Sequence, residues 1–152
     1  RLLGYLIKSN SLDFTTFKTF RPSVCNRLDR NTTGLLLMGK SLKGSQKLSE
    51  MLKNRSIKKF YRAIVIGEIR KPLTLEGFLK KDESNNTVTI TKEQNEGSSY
   101  IKTAYKPIKV NNGLTLLEVH LITGRTHQIR AHLSSIGHPV LGDLKYGDNN
   151  SM

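Results

Sequence analysis

Apolar and polar residues alternate through Tyr100–Val110 and again through Leu114–Ile122, a period of two that sends successive side chains to opposite faces of a sheet. Between the runs lies Asn111-Asn112-Gly113, whose tolerance of positive φ predicts a tight hairpin. Shorter runs predict strands over Leu35–Gly39, Phe60–Ile69, Leu73–Leu79 and Thr87–Thr91. The polar stretch Lys80–Ser99, with Asn85-Asn86 and Glu96-Gly97-Ser98-Ser99, brackets the last of these and reads as mobile loops.

Two other segments follow a helical period. Ser41 is placed to cap a helix reaching about Asn54, with Leu48, Met51 and Leu52 on one face and Lys43, Lys47 and Lys53 on the others. After Ile122, Thr126 is expected to cap a short helix from His127 to about Ile136, ended by a left-handed Gly137 and by Pro139. Ile129, Leu133 and Ile136 form its buried stripe, while His127 and Arg130, three apart, share another face. Leu2-Leu3-Tyr5-Leu6-Ile7 reads as the tail of a further helix. The pattern predicts an α+β fold with a mixed, mostly antiparallel sheet and flanking helices, arranged as one domain over residues 1–152.

The length of 152 residues is enough for one domain with a sizeable core. Mean hydropathy is −0.41, and no run approaches the ~18 apolar residues of a membrane span. The amino terminus lacks the charged-then-apolar layout of a signal peptide. Charge changes the picture more. The net charge is +13 with 25 Lys and Arg against 12 Asp and Glu. Thirteen of those cations and only three acids, Asp13, Asp29 and Glu50, fall in residues 1–60, which makes that part +10. Such a footprint suits a polyanion, either a nucleic acid or an acidic lipid surface.

Cys25 is the single cysteine, so no internal disulfide forms and a reducing cytoplasm fits. His127, His132 and His138 are spaced five and six apart, unlike a helical metal pair at i and i+4. His120 alternates with Val119 and Leu121 and reads as a strand residue facing solvent or a polar neighbour. The twelve glycines are scattered and build no phosphate-cradling loop. Neither a metal nor a nucleotide cofactor is expected.

The densest chemistry surrounds one acid. Asp29 sits in Asn26-Arg27-Leu28-Asp29-Arg30-Asn31-Thr32-Thr33-Gly34-Leu35-Leu36-Leu37, flanked by arginines in the most basic part of the chain. A surface ion pair with Arg27 or Arg30 is the plain explanation for an isolated Arg-Asp-Arg. The whole string, however, resembles the Arg-Leu-Asp-Arg-x-Thr-Ser-Gly-Leu-Leu-Leu motif of the RluA-type pseudouridine synthases. Family members commonly carry His at position 26, often Asp at 31 and usually Ser at 33. A second run, Leu121-Ile122-Thr123-Gly124-Arg125-Thr126-His127-Gln128-Ile129-Arg130 with Ala131-His132-Leu133-Ser134-Ser135-Ile136-Gly137-His138-Pro139-Val140-Leu141-Gly142-Asp143, is similar to the family's second signature. Between them, Lys59-Phe60-Tyr61-Arg62-Ala63-Ile64-Val65-Ile66-Gly67 resembles the strand bearing its active-site tyrosine. Three ordered motifs are far more specific than any one of them.

The resemblance implies an RNA pseudouridine synthase that isomerises uridine without a cofactor. Asp29 would be the catalytic carboxylate, either adding to the sugar or base or taking the ribose 2′ proton. Tyr61 would stack on the uracil with its hydroxyl near C5, and Arg130 would pair with Asp29 across the cleft. Ionised Asp29 is required, which burial opposes and a guanidinium favours. The resemblance also puts Arg27, Arg30, Thr33, Arg125, His127, Gln128 and Ile129 on the substrate, the arginines toward phosphates or loop positioning and Ile129 against the base. The target base must leave its stack to be reached. An RNA partner is expected, with large-subunit ribosomal RNA the first choice and transfer RNA the second, and with no membrane association and a monomeric protein.

Two other readings stay open. A noncatalytic RNA-binding domain of the same fold would bind without turnover. A metal-dependent nuclease would cleave strands, although one acid is too few for a two-metal centre. Family members usually have a strand motif before position 26, further strand after Lys145-Tyr146-Gly147 and often a small amino-terminal RNA-binding domain. The chain is therefore expected to be a piece of the catalytic domain, and the piece alone to be weakly active or inactive.

Overall fold

The computed structural model describes residues 2–9 and 19–147, which divide into two compact units, residues 1–57 and 58–152. In the first, helix α1 spans Leu2–Lys8 and helix α2 spans Leu42–Lys53. Helix α2 starts where expected: the Ser41 hydroxyl accepts from the Gly44 N–H at 3.1 Å, satisfying one of the donors that a helix start leaves open. Gly39 packs against this cap so closely that an added Cβ would collide with the Ser45 backbone nitrogen. Only a residue without a side chain fits there.

The strand expected over 35–39 is a correction. Among the described residues of this unit, only the isolated antiparallel bridge Val24↔Met38 forms there, and Leu35 is 87% exposed. Among the described residues the apolar run finds no neighbouring strand. The Asn26 side chain supplies hydrogen-bond partners to its backbone instead.

The second unit is a five-stranded antiparallel sheet with one helix on it. Strands β1 (Phe60–Ile66), β2 (Leu73–Asp82), β3 (Thr87–Thr91), β4 (Ser99–Asn111) and β5 (Leu114–Leu121) lie in the order β1-β5-β4-β2-β3, and helix α3 covers Gln128–Ser135. The hairpin joining β4 to β5 carries Asn112 at φ 47° and Gly113 at φ 72°, the pair of left-handed residues a twist-matched turn requires. Register slips between Pro107 and Lys109, where proline brings no N–H to the ladder.

Two strands depart from their expected ends for local reasons. β1 stops at Ile66 rather than Ile69, because the Thr115 hydroxyl donates to the Gly67 carbonyl at 2.7 Å and accepts from the Ile69 N–H at 2.9 Å. A side chain there replaces the ladder. β2 continues to Asp82 through residues read as loop, since that carboxylate builds the turn into β3. It accepts from the Ser84 N–H and hydroxyl and from the Asn85 side chain.

Alternation sorts the two faces of the sheet. Val65, Leu117, Val119 and Tyr105 pack with Leu133 of α3 in one cluster, and Leu79, Val88 and Ile101 with Ala131 in another. Each fully buried aliphatic side chain contributes about 1.5–3 kcal/mol of burial, so this face carries the unit's stability. The opposite face holds cross-strand pairs: Glu118 meets Arg62 at 3.0 Å and Lys106 at 2.8 Å, and the Phe60 ring stacks on His120 at 4.7 Å. Exposed ion pairs of this kind add little.

Helix α3 begins one residue later than expected. His127, not Thr126, holds the cap position, with left-handed φ of 53° and no side-chain cap bond. Gly137 ends the helix with φ of 79°, as its position predicts. No helix among the described residues is long and apolar enough to cross a membrane.

Candidate active site

In the first unit the segment from Asn26 to Leu37 is a loop fastened at its neck. Val24 and Met38 bridge, and the Cys25 N–H donates to the Leu37 carbonyl at 2.7 Å. Asn26 completes the closure from its side chain: Oδ1 accepts from the Leu37 N–H at 2.7 Å and Nδ2 donates to the Leu35 carbonyl at 3.1 Å. At the far end the Thr32 N–H donates to the Asp29 carbonyl at 3.0 Å, which folds Arg30 and Asn31 into a turn. Asp29 is half-buried at its start, while Arg27, Arg30 and Thr33 are exposed. The loop thus offers one carboxylate between two solvent-facing cations.

In the second unit, register decides where Tyr61 points. It pairs with Val119 across β1 and β5 and packs on the core cluster under α3. Arg130 sits on α3 itself, so Tyr61 and Arg130 belong to the same side of the sheet. Ile129 is half-buried against that core as well. Arg125 is exposed in the connection between β5 and α3. His127 and Arg130 share a helix face as their spacing predicts, and both reach Tyr146: the His127 Nδ1 lies 2.9 Å from the tyrosine hydroxyl and the Arg130 Cζ 5.0 Å from its ring centroid.

The guanidinium of Arg130 meets a carboxylate that the sequence pattern does not single out. Nε donates to Asp143 Oδ2 at 2.7 Å and Nη2 to Oδ1 at 2.8 Å. Burial pushes the Asp143 carboxyl upward. The hydrogen bonds from Arg130 and the N–H groups of Lys145 and Tyr146 outweigh it and hold the group below its ordinary value. The expected pairing of Arg130 with Asp29 joins residues of different units.

Gln128 is another of the residues that the resemblance puts on the substrate. It is 2% exposed, and its amide is fully committed inside the unit. Oε1 accepts from the Thr123 hydroxyl at 2.9 Å and the Arg125 N–H at 3.0 Å, while Nε2 donates to the Lys102 carbonyl at 3.1 Å and the Thr103 hydroxyl at 2.9 Å. Two donors and two acceptor sites exhaust a glutamine amide. Gln128 therefore holds the loop that carries Arg125.

Near it lies His132, 2% exposed, with Nδ1 2.8 Å from the Thr103 hydroxyl and no partner at Nε2 among the described residues. Desolvation pushes its imidazole down to about 4, so it stands neutral at pH 7. Nothing in its spacing distinguishes it from His127, and only packing separates their roles.

Comparison with known proteins fits this arrangement. Residues 5–135 match the RNA pseudouridylate synthase family. The chain is 35% identical over 127 residues to the ribosomal large subunit pseudouridine synthase D of Nitrosomonas europaea, covering 84% of this chain and 36% of that protein. It is equally 35% identical over 127 residues to the mitochondrial tRNA pseudouridine(32) synthase of Saccharomyces cerevisiae, covering 82% of this chain and 28% of the other. The chain thus spans about a third of the length of these relatives. Among solved structures, the human RNA pseudouridylate synthase domain containing 1 superposes with a TM-score of 0.77 at 26% identity, covering 89% of this chain and 59% of that one.

Proposed function

The chain belongs to the RNA pseudouridylate synthase family, and we propose that the protein isomerises specific uridines in RNA to pseudouridine with Asp29 as the catalytic carboxylate. The observation that carries the reading is the Arg27-Leu28-Asp29-Arg30 motif intact on a loop fastened by Asn26. The bond from uracil N1 to ribose C1′ breaks, the base turns, and C5 bonds to C1′. The C5 proton leaves and N1 regains one, so atoms balance without a redox partner. Asp29 starts this either by adding to the sugar or base or by withdrawing the 2′ proton. Tyr61 stacks on the uracil and meets C5 with its hydroxyl. Arg130 keeps the reacting carboxylate ionised, the role its planar fork suits.

Arg27, Arg30 and Arg125, all exposed, bind phosphates. Thr33, His127 and Ile129 complete the substrate contacts, and Gln128 acts through the loop it holds. The substrate we favour is large-subunit ribosomal RNA, the substrate class in the name of the Nitrosomonas relative, with transfer RNA, named for the yeast relative, as the alternative. The setting is the cytoplasm, where a lone Cys25 stays reduced, and the protein acts as a monomer.

The test is tritium release from transcripts carrying tritium at uridine C5, made from large-subunit ribosomal RNA and from transfer RNA, with the intact protein. Asp29→Asn keeps the shape and removes the charge. It should slow release by on the order of 1,000-fold or more while RNA affinity stays within about threefold. Parental turnover by Asp29→Asn would refute the assignment, and binding without release by the parent would instead favour the noncatalytic reading.

A further inference from the structure

We infer that Asp143, together with the ring of Tyr146, is a positioning residue for Arg130, fixing the plane and direction of its guanidinium for the reaction proposed above, on which reading this inference rests. The contact is side-on and bidentate, Nε to Oδ2 at 2.7 Å and Nη2 to Oδ1 at 2.8 Å. Two parallel bonds fix position and plane together, where one would let the fork swing. They take the Nε hydrogen and one on Nη2, so the other hydrogens of the fork, on Nη1 and Nη2, point away from Asp143.

The carboxylate is itself immobile. Oδ1 also accepts from the N–H groups of Lys145 at 3.0 Å and Tyr146 at 3.2 Å. The Asp143 backbone N–H donates to the Val140 carbonyl at 3.0 Å, and its carbonyl accepts from the Gly147 N–H at 2.7 Å. With its side chain 4% exposed, Asp143 is a fixed point rather than a flexible counterion.

Tyr146 bounds the guanidinium from a second direction and is pinned at both ends. Its hydroxyl accepts from the Val88 N–H of β3 at 2.9 Å and lies 2.9 Å from His127 Nδ1. Its carbonyl accepts from the Ser134 hydroxyl of α3 at 2.6 Å. The segment 143–147 is thus clipped to the sheet and to the helix that bears Arg130. A pair this enclosed is a poor route to stability, because desolvating two ions offsets most of their attraction. The same geometry is an efficient way to set an orientation.

The test is a rate cycle under single-turnover conditions, with the intact protein and C5-tritiated large-subunit ribosomal RNA and transfer RNA transcripts. It compares the parent, Asp143→Asn, Arg130→Lys and the double variant. Lysine offers a point charge with no fork to orient. Asp143→Asn should therefore slow the parent by on the order of 10- to 100-fold, yet slow Arg130→Lys by less than about threefold, with RNA affinity unchanged in both. Equal losses in the two backgrounds would make Asp143 merely structural and overturn the inference, as would a parental rate in Asp143→Asn. If Asp143→Asn does not fold, Asp143→Glu takes its place: it keeps the charge and moves it by one methylene, the same dependence on background is expected, and equal losses again overturn the proposal. Failure of the functional reading looks different. No product from the parent on either RNA, or an unslowed Arg130→Lys, removes that reading and this one with it.

Discussion

Acid should destabilise the second unit through His132. Protonating the buried imidazole would make both ring nitrogens donors, with no acceptor at Nε2 among the described residues, inside a core that already disfavours charge. The gap between the ordinary value of 6.5 and about 4, at about 1.4 kcal/mol per pH unit, corresponds to about 3 kcal/mol in full. The sign follows from proton counting. Between these values the unfolded chain binds the proton and the folded chain does not, so stability is complete above pH 6.5 and falls as pH drops toward 4. From about pH 7.5 to 5 the loss comes to about 2 kcal/mol, or a urea midpoint lower by about 1–2 M. Urea titrations across that range, followed by circular dichroism, measure it. His132→Asn should be less stable at neutral pH but flat over the window. A flat parent, or a variant that keeps the slope, would refute the argument. His132 and Arg130 share α3, so activity should fall on the acid side together with the fold.

Gln128→Ala should cost about 2–4 kcal/mol, because four hydrogen bonds, two of them buried, are lost together, and a change below about 1 kcal/mol in urea unfolding would deny its scaffold role. Tyr61→Phe should keep RNA affinity and slow tritium release by about 10- to 100-fold, whereas Tyr61→Leu should damage both; a fully active Tyr61→Phe would leave the hydroxyl without a chemical part. RNA binding should weaken by about 1,000-fold between about 50 and 200 mM salt, given the +10 balance of residues 1–60, and a flat fluorescence titration would remove the electrostatic argument.

Much of the fold was legible because its determinants are local. Alternation marked β4 and β5, Asn112-Gly113 marked their turn, Ser41 marked the start of α2, and Gly137 the end of α3. Each rests on the torsional freedom or hydrogen-bonding reach of residues a few positions apart. The motifs around Asp29, Tyr61 and Arg130 were legible for a different reason, namely that three ordered strings rarely coincide by chance, and the match over residues 5–135 established the family they indicate.

What the sequence could not decide depended on partners distant along the chain. The run Leu35-Leu36-Leu37 has the composition of a strand, yet a strand exists only where a neighbour pairs with it, and the Asn26 side chain takes that place. β1 ends early because Thr115, on another strand, captures the groups at Gly67 and Ile69. Gln128 and His127 stand side by side in the same signature, but the turn into α3 sends one amide into the core and leaves the neighbouring imidazole beside Tyr146. Arg130 and His132 are likewise two positions apart: one is held by Asp143 and the other is buried against Thr103. Residue type and spacing determined which chemical groups the chain carries and in what order. Long-range packing, which sets the surroundings of every side chain, determined which stand charged, which stand neutral and which serve only to hold the others.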